Sequence, residues 1–384
     1  MTDLSPTPRV FFYVQHLLGI GHLARASRIA DALVDGRFEV TVVTGGTPVV
    51  GFPGSGVRHL TLPTITAGDA GFSGLREADG RAVDEAFKKR RCDMLLAAYD
   101  QCKPDIVIIE AFPFGRRQVR FELIPLLSAI HATRPRPRVV CSLRDILQER
   151  ANPDRDQESI ALVKQYFDLV LVHGDPAFAR LEETFPPAGQ ISDHIAYTGL
   201  VAAPPPVPVS ERFDVVVSAG GGAVGIDLVR AAAEAARRLP ETGSWCLITG
   251  PNMPAAEFDS VAASAPQNVS AVRFRRDFPS LLASARLSVS QAGYNTVCDI
   301  LNARCRCLLV PFAAGGETEQ SQRAERLQRL GLAHVLPEQF LSADAMTREV
   351  RKALAAPEPA PLMLGLDGAQ RTARILYQLI AKAE

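Results

Sequence analysis

Short apolar runs alternate with helical patterns along most of the 384-residue chain. The first run, residues 10–14, precedes residues 22–35, where apolar side chains recur at i, i+3 and i+4 as in an amphipathic helix. Runs that are apolar on both faces are typical of parallel strands covered by helices on each side. The sequence therefore predicts βα units and a parallel sheet. The predicted strands of the first half are residues 10–14, 39–44, 105–110, 138–143 and 169–173.

A proline-rich segment at residues 201–209 interrupts this alternation, which then restarts. Consecutive prolines cannot donate ladder hydrogen bonds and favour an extended spacer. We therefore predict an α/β protein of two Rossmann-like domains, residues 1–200 and 210–384, joined by a linker at 201–209. The amphipathic last helix is a candidate to pack back on the N-terminal domain. The predicted elements after the linker are strands 214–218, 245–249, 287–290 and 307–311 and helices 223–238 and 368–382.

Composition limits the classes of partner. The chain carries 42 basic and 42 acidic side chains, which argues against nucleic acid, because phosphate contacts need a surplus of Lys and Arg. No window approaches the roughly 18 apolar residues of a spanning helix. The polar, proline-rich start is unlike a signal peptide. We therefore expect a cytoplasmic protein, and peripheral contact with the inner face of the membrane stays open.

The first motif is a glycine-flanked histidine, Gly19-Ile-Gly-His-Leu-Ala-Arg25, between the first strand and the first helix. Ligands of open α/β sheets bind outside the carboxyl ends of the strands, and a helix N-terminus favours phosphate or a developing oxyanion. His22 could act there as a general base. The alternative is that Gly19 and Gly21 only form a tight turn and His22 caps the helix. The dinucleotide pattern would need a third glycine where Ala24 stands.

The second motif is a glycine-rich turn, Ser218-Ala-Gly-Gly-Gly-Ala-Val-Gly225, at the equivalent place in the second half. Three consecutive glycines before a helix can form an amide-lined concavity for a diphosphate. The motif lacks the Lys-Ser/Thr ending of a P-loop, so phosphoryl transfer from ATP is disfavoured. A plain tight turn remains the alternative.

The third motif covers residues 288–323 and reads as a strand, a glycine turn, a helix, a strand and a polar loop at 315–320. Asp299 lies three residues after Thr296 and would share its helical face. A carboxylate beside a helix mouth can accept both hydroxyls of a ribose. Glu319 and Gln320 offer an acceptor and a donor for sugar hydroxyls.

These three blocks, about 50 positions, resemble the GT-B glycosyltransferase superfamily, and most of all the peptidoglycan N-acetylglucosaminyltransferases that form lipid II. The resemblance implies two Rossmann-like domains facing across a cleft, with a nucleotide-sugar in the second. The diphosphate would face the glycines, Asp299 the ribose, and the base the segment near Arg275 and Phe278. The implied phosphate and donor residues are Gly19, Gly21, Ser218, Gly220, Gly221, Gly222, Arg275, Phe278, Gln291, Ala292, Gly293, Asn295, Thr296, Asp299, Glu319 and Gln320.

The resemblance also implies that His22 lies near the acceptor hydroxyl and that no metal or other cofactor takes part. Two departures keep the sugar and the acceptor from being carried over: the first loop has fewer glycines than that family, and the loop 315–320 is longer, with Glu317 and Glu319. The sequence Asp154-Arg-Asp156 matches a metal motif of another glycosyltransferase fold, but it lies in a polar segment before a helix, which disfavours a metal role.

Four residues of the first half are candidates for the acceptor side: Arg25, Glu110, Arg144 and Asp145. The last three follow or end predicted strands, where such contacts belong, and ordinary ion pairing is the alternative. The basic run at residues 88–91 reads as a solvated helix face, or else as a contact for anionic lipid headgroups.

The leading hypothesis is sugar transfer from a nucleotide-diphosphate donor, UDP-linked by preference, to a small-molecule, lipid-linked or glycan acceptor. A nucleotide-sugar hydrolase of the same fold would use His22 to activate water. A nucleotide-sugar epimerase would interconvert donors, and a non-catalytic sensor would bind them without turnover. A dinucleotide dehydrogenase shares the fold only.

Overall fold

The chain divides into two units, which we call unit 1 (residues 1–201 and 367–384) and unit 2 (residues 202–366). The computed structural model describes residues 7–17, 21–49, 51–67, 74–149, 152–207, 209–221, 224–359 and 363–381. Gly19 and Gly222 lie outside the described residues. Among the described residues, none of the helices is both long and apolar enough to span a membrane.

Unit 1 contains a parallel sheet of seven strands. Its strands are β1 (Arg9–Val14), β2 (Glu39–Thr44), β3 (Arg58–Thr61), β6 (Ile106–Glu110), β7 (Arg138–Arg144), β8 (Leu169–His173) and β9 (Ile195–Tyr197). They follow the order β3-β2-β1-β6-β7-β8-β9. The strand order therefore reverses between β1 and β6, which is where ligands bind in sheets of this kind. A separate antiparallel pair is formed by β4 (Ile65–Ala67) and β5 (Leu75–Glu77).

The helices of unit 1 cover this sheet because their apolar residues recur with helical spacing. In α1 the buried residues include Leu23, Ala26, Ile29, Ala30 and Leu33, which fall on one face at i, i+3 and i+4. The helices are α1 (Gly21–Asp35), α2 (Glu85–Cys102), α3 (Arg120–Ala132), α4 (Asp154–Tyr166) and α11 (Gly368–Ala381).

The last helix, α11, belongs to unit 1 although 165 residues of unit 2 precede it in the chain. Its Tyr377 hydroxyl donates to Gly36 O at 2.7 Å, and the Tyr377 ring packs on Phe38 with centroids 4.3 Å apart. Gly368 N donates to Leu200 O at 3.0 Å. A Cβ at Gly368 would lie 2.5 Å from Gly199 O, so only glycine fits where the chain returns.

Unit 2 repeats the architecture with a parallel sheet of six strands in the order β12-β11-β10-β13-β14-β15. The strand order reverses between β10 and β13. The strands are β10 (Val215–Ser218), β11 (Trp245–Ile248), β12 (Val269–Val272), β13 (Leu287–Ser290), β14 (Cys307–Leu309) and β15 (His334–Val335). The helices are α5 (Ile226–Arg238), α6 (Ala255–Ser264), α7 (Phe278–Ser284), α8 (Tyr294–Ala303), α9 (Glu319–Arg329) and α10 (Ala343–Ala355). Two parallel, helix-covered sheets confirm the predicted α/β class.

The basic run at residues 88–91 lies on α2 and is not a uniform solvated face. Arg91 is fully buried, and its Nε donates to Glu122 Oε2 at 2.6 Å. Lys88 and Lys89 pair with acids of their own helix, with Nζ 2.6 Å from Glu85 and 2.6 Å from Asp93. The interpretation of the whole run as one surface is therefore wrong at Arg91.

Candidate active site

The centre of unit 1 is a histidine–carboxylate pair at the point where the strand order reverses. His22 is the second residue of α1, which follows β1, and Glu110 is the last residue of β6. The His22 Nδ1 lies 3.0 Å from Glu110 Oε1, and the two side chains are 20% and 0% exposed. The two residues are 88 positions apart in the sequence. They meet because β1, which precedes His22, pairs with β6, which ends at Glu110.

A buried arginine holds Glu110 ionised. Arg25, one turn after His22 on α1, donates to Glu110 Oε1 and is 2% exposed. Burial by itself would raise the pKa of Glu110, but the Arg25 charge and hydrogen bonds from His22 and Ser142 outweigh it and hold the pKa well below its usual range. The carboxylate is therefore a permanent acceptor at neutral pH.

The charge state of Glu110 fixes the tautomer of His22. An ionised carboxylate can only accept, so His22 donates from Nδ1 and keeps Nε2 unprotonated. Burial, followed by the positive charge of Arg116, lowers the pKa of His22 to about 3 despite the opposing effect of Glu110. The imidazole is neutral at pH 7 and has the proton arrangement that a general base needs.

A second layer of polar side chains lies behind Glu110. Ser142 in β7 donates to Glu110 Oε2, and its Oγ is 3.0 Å from His173 Nε2 at the end of β8. His173 Nδ1 is 2.9 Å from Thr198 Oγ1. All three of these side chains are buried. Because the Ser142 proton goes to Glu110, the Ser142 Oγ can only accept from His173, which therefore donates from Nε2.

His22 lines a cleft of about 750 Å³ that lies wholly within unit 1. Arg116 and Arg144 also line it, and Arg116 Nε donates to Gln15 O at 2.7 Å. Burial lowers the pKa of Arg116 to about 10; the carboxylate of Glu110 opposes this effect, and the charges of Arg144 and Arg25 add to it. The cleft is thus more basic than the zero net charge of the chain suggests.

Of the predicted residues of unit 1, the structure brings His22, Arg25 and Glu110 into direct contact and places Arg144 in the same cleft. Gly21 begins α1. Asp145 is buried, and its Oδ1 accepts from Ile146 N at 2.8 Å. Asp154 and Asp156 lie in the first turn of α4.

The glycine-rich turn of unit 2 follows β10 at the corresponding strand reversal. Gly220 has φ +71° and donates from N to Ser218 Oγ at 3.3 Å. Gly225 has φ +126°, and a Cβ there would lie 2.8 Å from Ala219 Cβ and 3.3 Å from Gln291 Nε2. The amide of Gln291, which follows β13, is thus packed against the turn. Gly221 O accepts from Asn252 Nδ2 at 2.7 Å.

Glu319 and Gln320 begin α9, so the predicted polar loop ends at Thr318. Gln320 Oε1 accepts from Ala292 N at 2.9 Å and from Phe312 N at 3.2 Å. Arg323, 1% exposed, lies 2.7 Å from Glu319 Oε1 and donates to Ala292 O at 3.0 Å. These contacts fix the turn after β13 to the start of α9.

The other predicted donor residues lie on neighbouring elements of unit 2. Gly293 precedes α8, and Asn295, Thr296 and Asp299 lie on that helix, with Asp299 buried. Phe278 begins α7. Arg275 binds Asp277 through two bonds of 2.8 Å and Glu211 through one of 2.5 Å, so its guanidinium is engaged on two sides.

Residues 215–366 match the family model of the glycosyltransferase family 28 C-terminal domain. The predicted resemblance is confirmed. The match covers nearly all of unit 2, including the turn after β10 and the segment from β13 to α9.

One curated relative is similar to about half of the chain. The UDP-N-acetylglucosamine–N-acetylmuramyl-(pentapeptide) pyrophosphoryl-undecaprenol N-acetylglucosamine transferase of Gloeobacter violaceus is 29% identical over 184 residues, which are 45% of this chain and 50% of the relative. The chain thus spans half the length of this relative.

Solved glycosyltransferases share the fold along nearly the whole chain. The calicheamicin glycosyltransferase CalG4 superposes with a TM-score of 0.61 at 18% identity, covering 98% of this chain and 96% of that one. MurG of Acinetobacter baumannii gives 0.58 at 14% identity, covering 98% and 100%. Identity at this level shows the fold, and the predicted GT-B class is confirmed.

Sequence reasoning missed Arg116, Ser142, His173 and Arg323. A signal existed for two of them. His173 ends an apolar strand, as Glu110 does, and Arg323 lies four residues after Glu319 on one helical face. Ser142 reaches Glu110 because of the register between β6 and β7. Arg116 is placed by the tight turn after β6. Patterns in a single sequence reveal neither strand register nor the path of such a turn.

Proposed function

We propose that the protein is a glycosyltransferase that moves a sugar from a UDP-linked donor to an acceptor hydroxyl. The observation that carries this proposal is the His22–Glu110 pair, a neutral base oriented by an ionised carboxylate. It occurs in a chain whose other unit matches a glycosyltransferase family 28 domain. The Gloeobacter relative is named as a transferase that uses UDP-N-acetylglucosamine, which supports the choice of UDP.

In this mechanism His22 Nε2 accepts the proton of the acceptor hydroxyl. The acceptor oxygen then forms a bond to the anomeric carbon of the sugar. The bond from that carbon to the diphosphate oxygen breaks, and the nucleotide diphosphate leaves with the electron pair. Glu110 stabilises the imidazolium that forms, and it stays ionised because Arg25 lies against it.

Unit 2 would bind the donor in this scheme. Backbone amides at the turn after β10 and the N-termini of α5 and α8 suit the charge that develops on the departing diphosphate. The buried carboxylate of Asp299 is the candidate acceptor for ribose hydroxyls. Because these amides and dipoles already carry positive character, we propose that transfer needs no metal, and chelation with EDTA should leave turnover unchanged.

A two-part experiment tests the proposal. Calorimetry with UDP and other nucleoside diphosphates measures donor binding, and release of UDP from a panel of UDP-sugars with mixed acceptors measures turnover. His22→Ala should lower turnover by about 10²- to 10⁴-fold, the usual contribution of a general base, and leave UDP affinity unchanged. His131→Ala, an exposed histidine on α3, is the matched control and should behave as wild type.

Three results would count against the proposal. Absence of binding to every nucleoside diphosphate would remove the donor role of unit 2. Full turnover in His22→Ala would remove the assigned base. Release of free sugar at the same rate with and without acceptor would make the protein a nucleotide-sugar hydrolase.

A further inference from the structure

The cleft of unit 1 holds more positive charge than a general base requires. Among the described residues that line it, Glu149 is the one carboxylate. Arg25 is neutralised by Glu110, and Arg117 pairs with Glu158, which it shares with Arg120. The arginines that line the cleft are Arg25, Arg116, Arg117, Arg144 and Arg155.

Arg116 is the most unusual member of this set. The partner of its Nε is a neutral carbonyl, Gln15 O. Burial lowers the pKa of Arg116, the carboxylate of Glu110 opposes this effect, and the charges of Arg144 and Arg25 add to it. A buried cation in such surroundings becomes more stable when an anion binds beside it.

The backbone around Arg116 gives a second, independent indication. Arg116 has φ +58°, and Ala111, directly after Glu110, has φ +64°. Residues other than glycine seldom adopt this left-handed conformation, although Lys103 and Arg304 of this chain do so at the ends of helices. Gly115 N donates to Ala111 O at 2.7 Å and closes the turn. The chain therefore holds an uncommon backbone conformation at the buried arginine of the cleft.

We propose that Arg116 and Arg144 bind an oxyanion of the acceptor, a phosphate or a carboxylate, beside His22. Guanidinium groups recognise both oxyanions through paired N–H donors. This inference rests on the proposed role of unit 1 as the acceptor side, and it narrows the acceptor to molecules that carry such a group near the reacting hydroxyl. A bound anion would also raise the pKa of His22, because it would offset the positive charge of Arg116, which disfavours protonation of His22.

The His22 imidazole supplies a local readout. In protein with isotope-labelled histidine, its NMR signal is assigned by its disappearance in His22→Ala. Titration with inorganic pyrophosphate and with malonate should shift this signal and raise the pH at which it titrates. The glycine-rich turn of unit 2 also suits phosphate, but binding there would leave the His22 signal in place.

Variants then test the two arginines. Arg116→Gln and Arg144→Gln should each weaken the oxyanion-dependent shift at least 10-fold, whereas Arg116→Lys should lose less. The matched control is Arg120→Gln, which removes the same charge from α3 and should bind like wild type. If Arg116→Gln does not fold, Arg144→Gln alone decides. A His22 signal that no oxyanion moves, or equal affinity in Arg144→Gln and wild type, would overturn the proposal.

Vesicles distinguish a lipid-borne oxyanion from a soluble one. Sedimentation with phosphatidylglycerol vesicles that is lost in Arg144→Gln, and absent with phosphatidylcholine, would assign the site to a lipid headgroup. If Arg144→Gln sediments with the vesicles like wild type but loses the pyrophosphate-induced shift of the His22 signal, the oxyanion site belongs to a soluble acceptor. UDP calorimetry on the same samples separates the oxyanion proposal from the proposed glycosyltransferase function. Oxyanion binding can fail while UDP still binds, and UDP binding can fail while the oxyanion still binds.

Discussion

Units 1 and 2 place different chemistry at the same position of the same architecture. In both, strand order reverses beside the first strand, between β1 and β6 in one and between β10 and β13 in the other. At the first reversal lie His22, Glu110 and Arg25, all ionisable and all in contact. At the second lie a glycine turn, the hydroxyl of Ser218 and the side-chain amide of Gln320, and both of these side chains accept hydrogen bonds from backbone N–H groups.

The difference shows how one fold supports two tasks. In unit 1, the charges of Arg25 and Glu110 place the His22 proton on Nδ1 and leave Nε2 free to accept a proton, which suits acid–base chemistry. Unit 2 arranges backbone amides at fixed positions, which suits binding of an anionic ligand. Function therefore depends on the residues at the ends of the strands rather than on the sheets.

Glu110→Gln should cause the largest loss of stability, about 3–5 kcal/mol, because it leaves the buried Arg25 charge without its carboxylate. Turnover should fall as well, and UDP affinity in unit 2 should not change. Urea unfolding and UDP calorimetry measure the two effects. Glu158→Gln, which breaks half-exposed pairs with Arg117 and Arg120, is the control and should cost under about 1 kcal/mol. A similar cost for both variants would contradict the prediction.

Arg323→Met should have the opposite pattern, with a loss of about 3 kcal/mol in the stability of unit 2 and weaker UDP binding. The variant removes the Arg323 ion pair from the buried carboxylate of Glu319 and the hydrogen bond from Arg323 to Ala292 O. The double variant Glu319→Gln, Arg323→Met should recover part of the stability, because the buried charge is gone. If the titration of His22, followed by NMR, changes in Arg323→Met, the two sites are not independent.

Acid should destabilise unit 1 before unit 2. Burial lowers the pKa values of His22 and His173 to about 3 in the folded state. Protonation therefore favours the unfolded chain, and stability is lost as pH falls below the unfolded value of about 6.5 towards 3. At pH 5 the loss is about 2 kcal/mol for each imidazole. The lowered pKa of Glu110 acts in the same direction at lower pH, because its contribution is lost on protonation.

Hydrogen exchange at pH 7.5 and pH 5 can locate this effect, since peptides of the two units are read separately. Unit 2 contains one histidine, His334, so its protection should change less. His22→Ala should reduce the pH dependence in unit 1. Equal loss of protection in both units would mean that the acid sensitivity is not due to these imidazoles.

The sequence predicted the fold because periodicity is local. Strands β2 and β8 have the predicted bounds, and α1 differs by one residue. His22 and Glu110 were both candidates from the sequence, His22 as the base and Glu110 for the acceptor side, since each follows or ends an apolar strand. The contact between them depends on which strands are neighbours, and this order is a property of the whole sheet.

Contacts between distant segments explain what could not be predicted. Arg91 reads as one of four surface cations, and its burial depends on Glu122, 31 residues further on. Residues 319 and 320 read as loop because they are polar, but helix-favouring residues follow them and Thr318 precedes the helix. The side-chain oxygen of Gln320 accepts hydrogen bonds from the backbone N–H groups of Ala292 and Phe312.

The smallest effect compares two buried serines, one in each unit. Ser142→Ala removes a hydrogen bond to the ionised Glu110, and the loss should be about 1.5–3 kcal/mol with a modest fall in turnover. Ser290 ends β13 and is equally buried, but its Oγ has no hydrogen-bond partner among the described residues. Ser290→Ala should therefore be neutral or slightly stabilising, because a buried hydroxyl without a partner is costly. Urea unfolding of both variants measures the contrast. Equal costs would mean that Ser142 contributes by packing and that the layer behind Glu110 does not act through its hydrogen bonds.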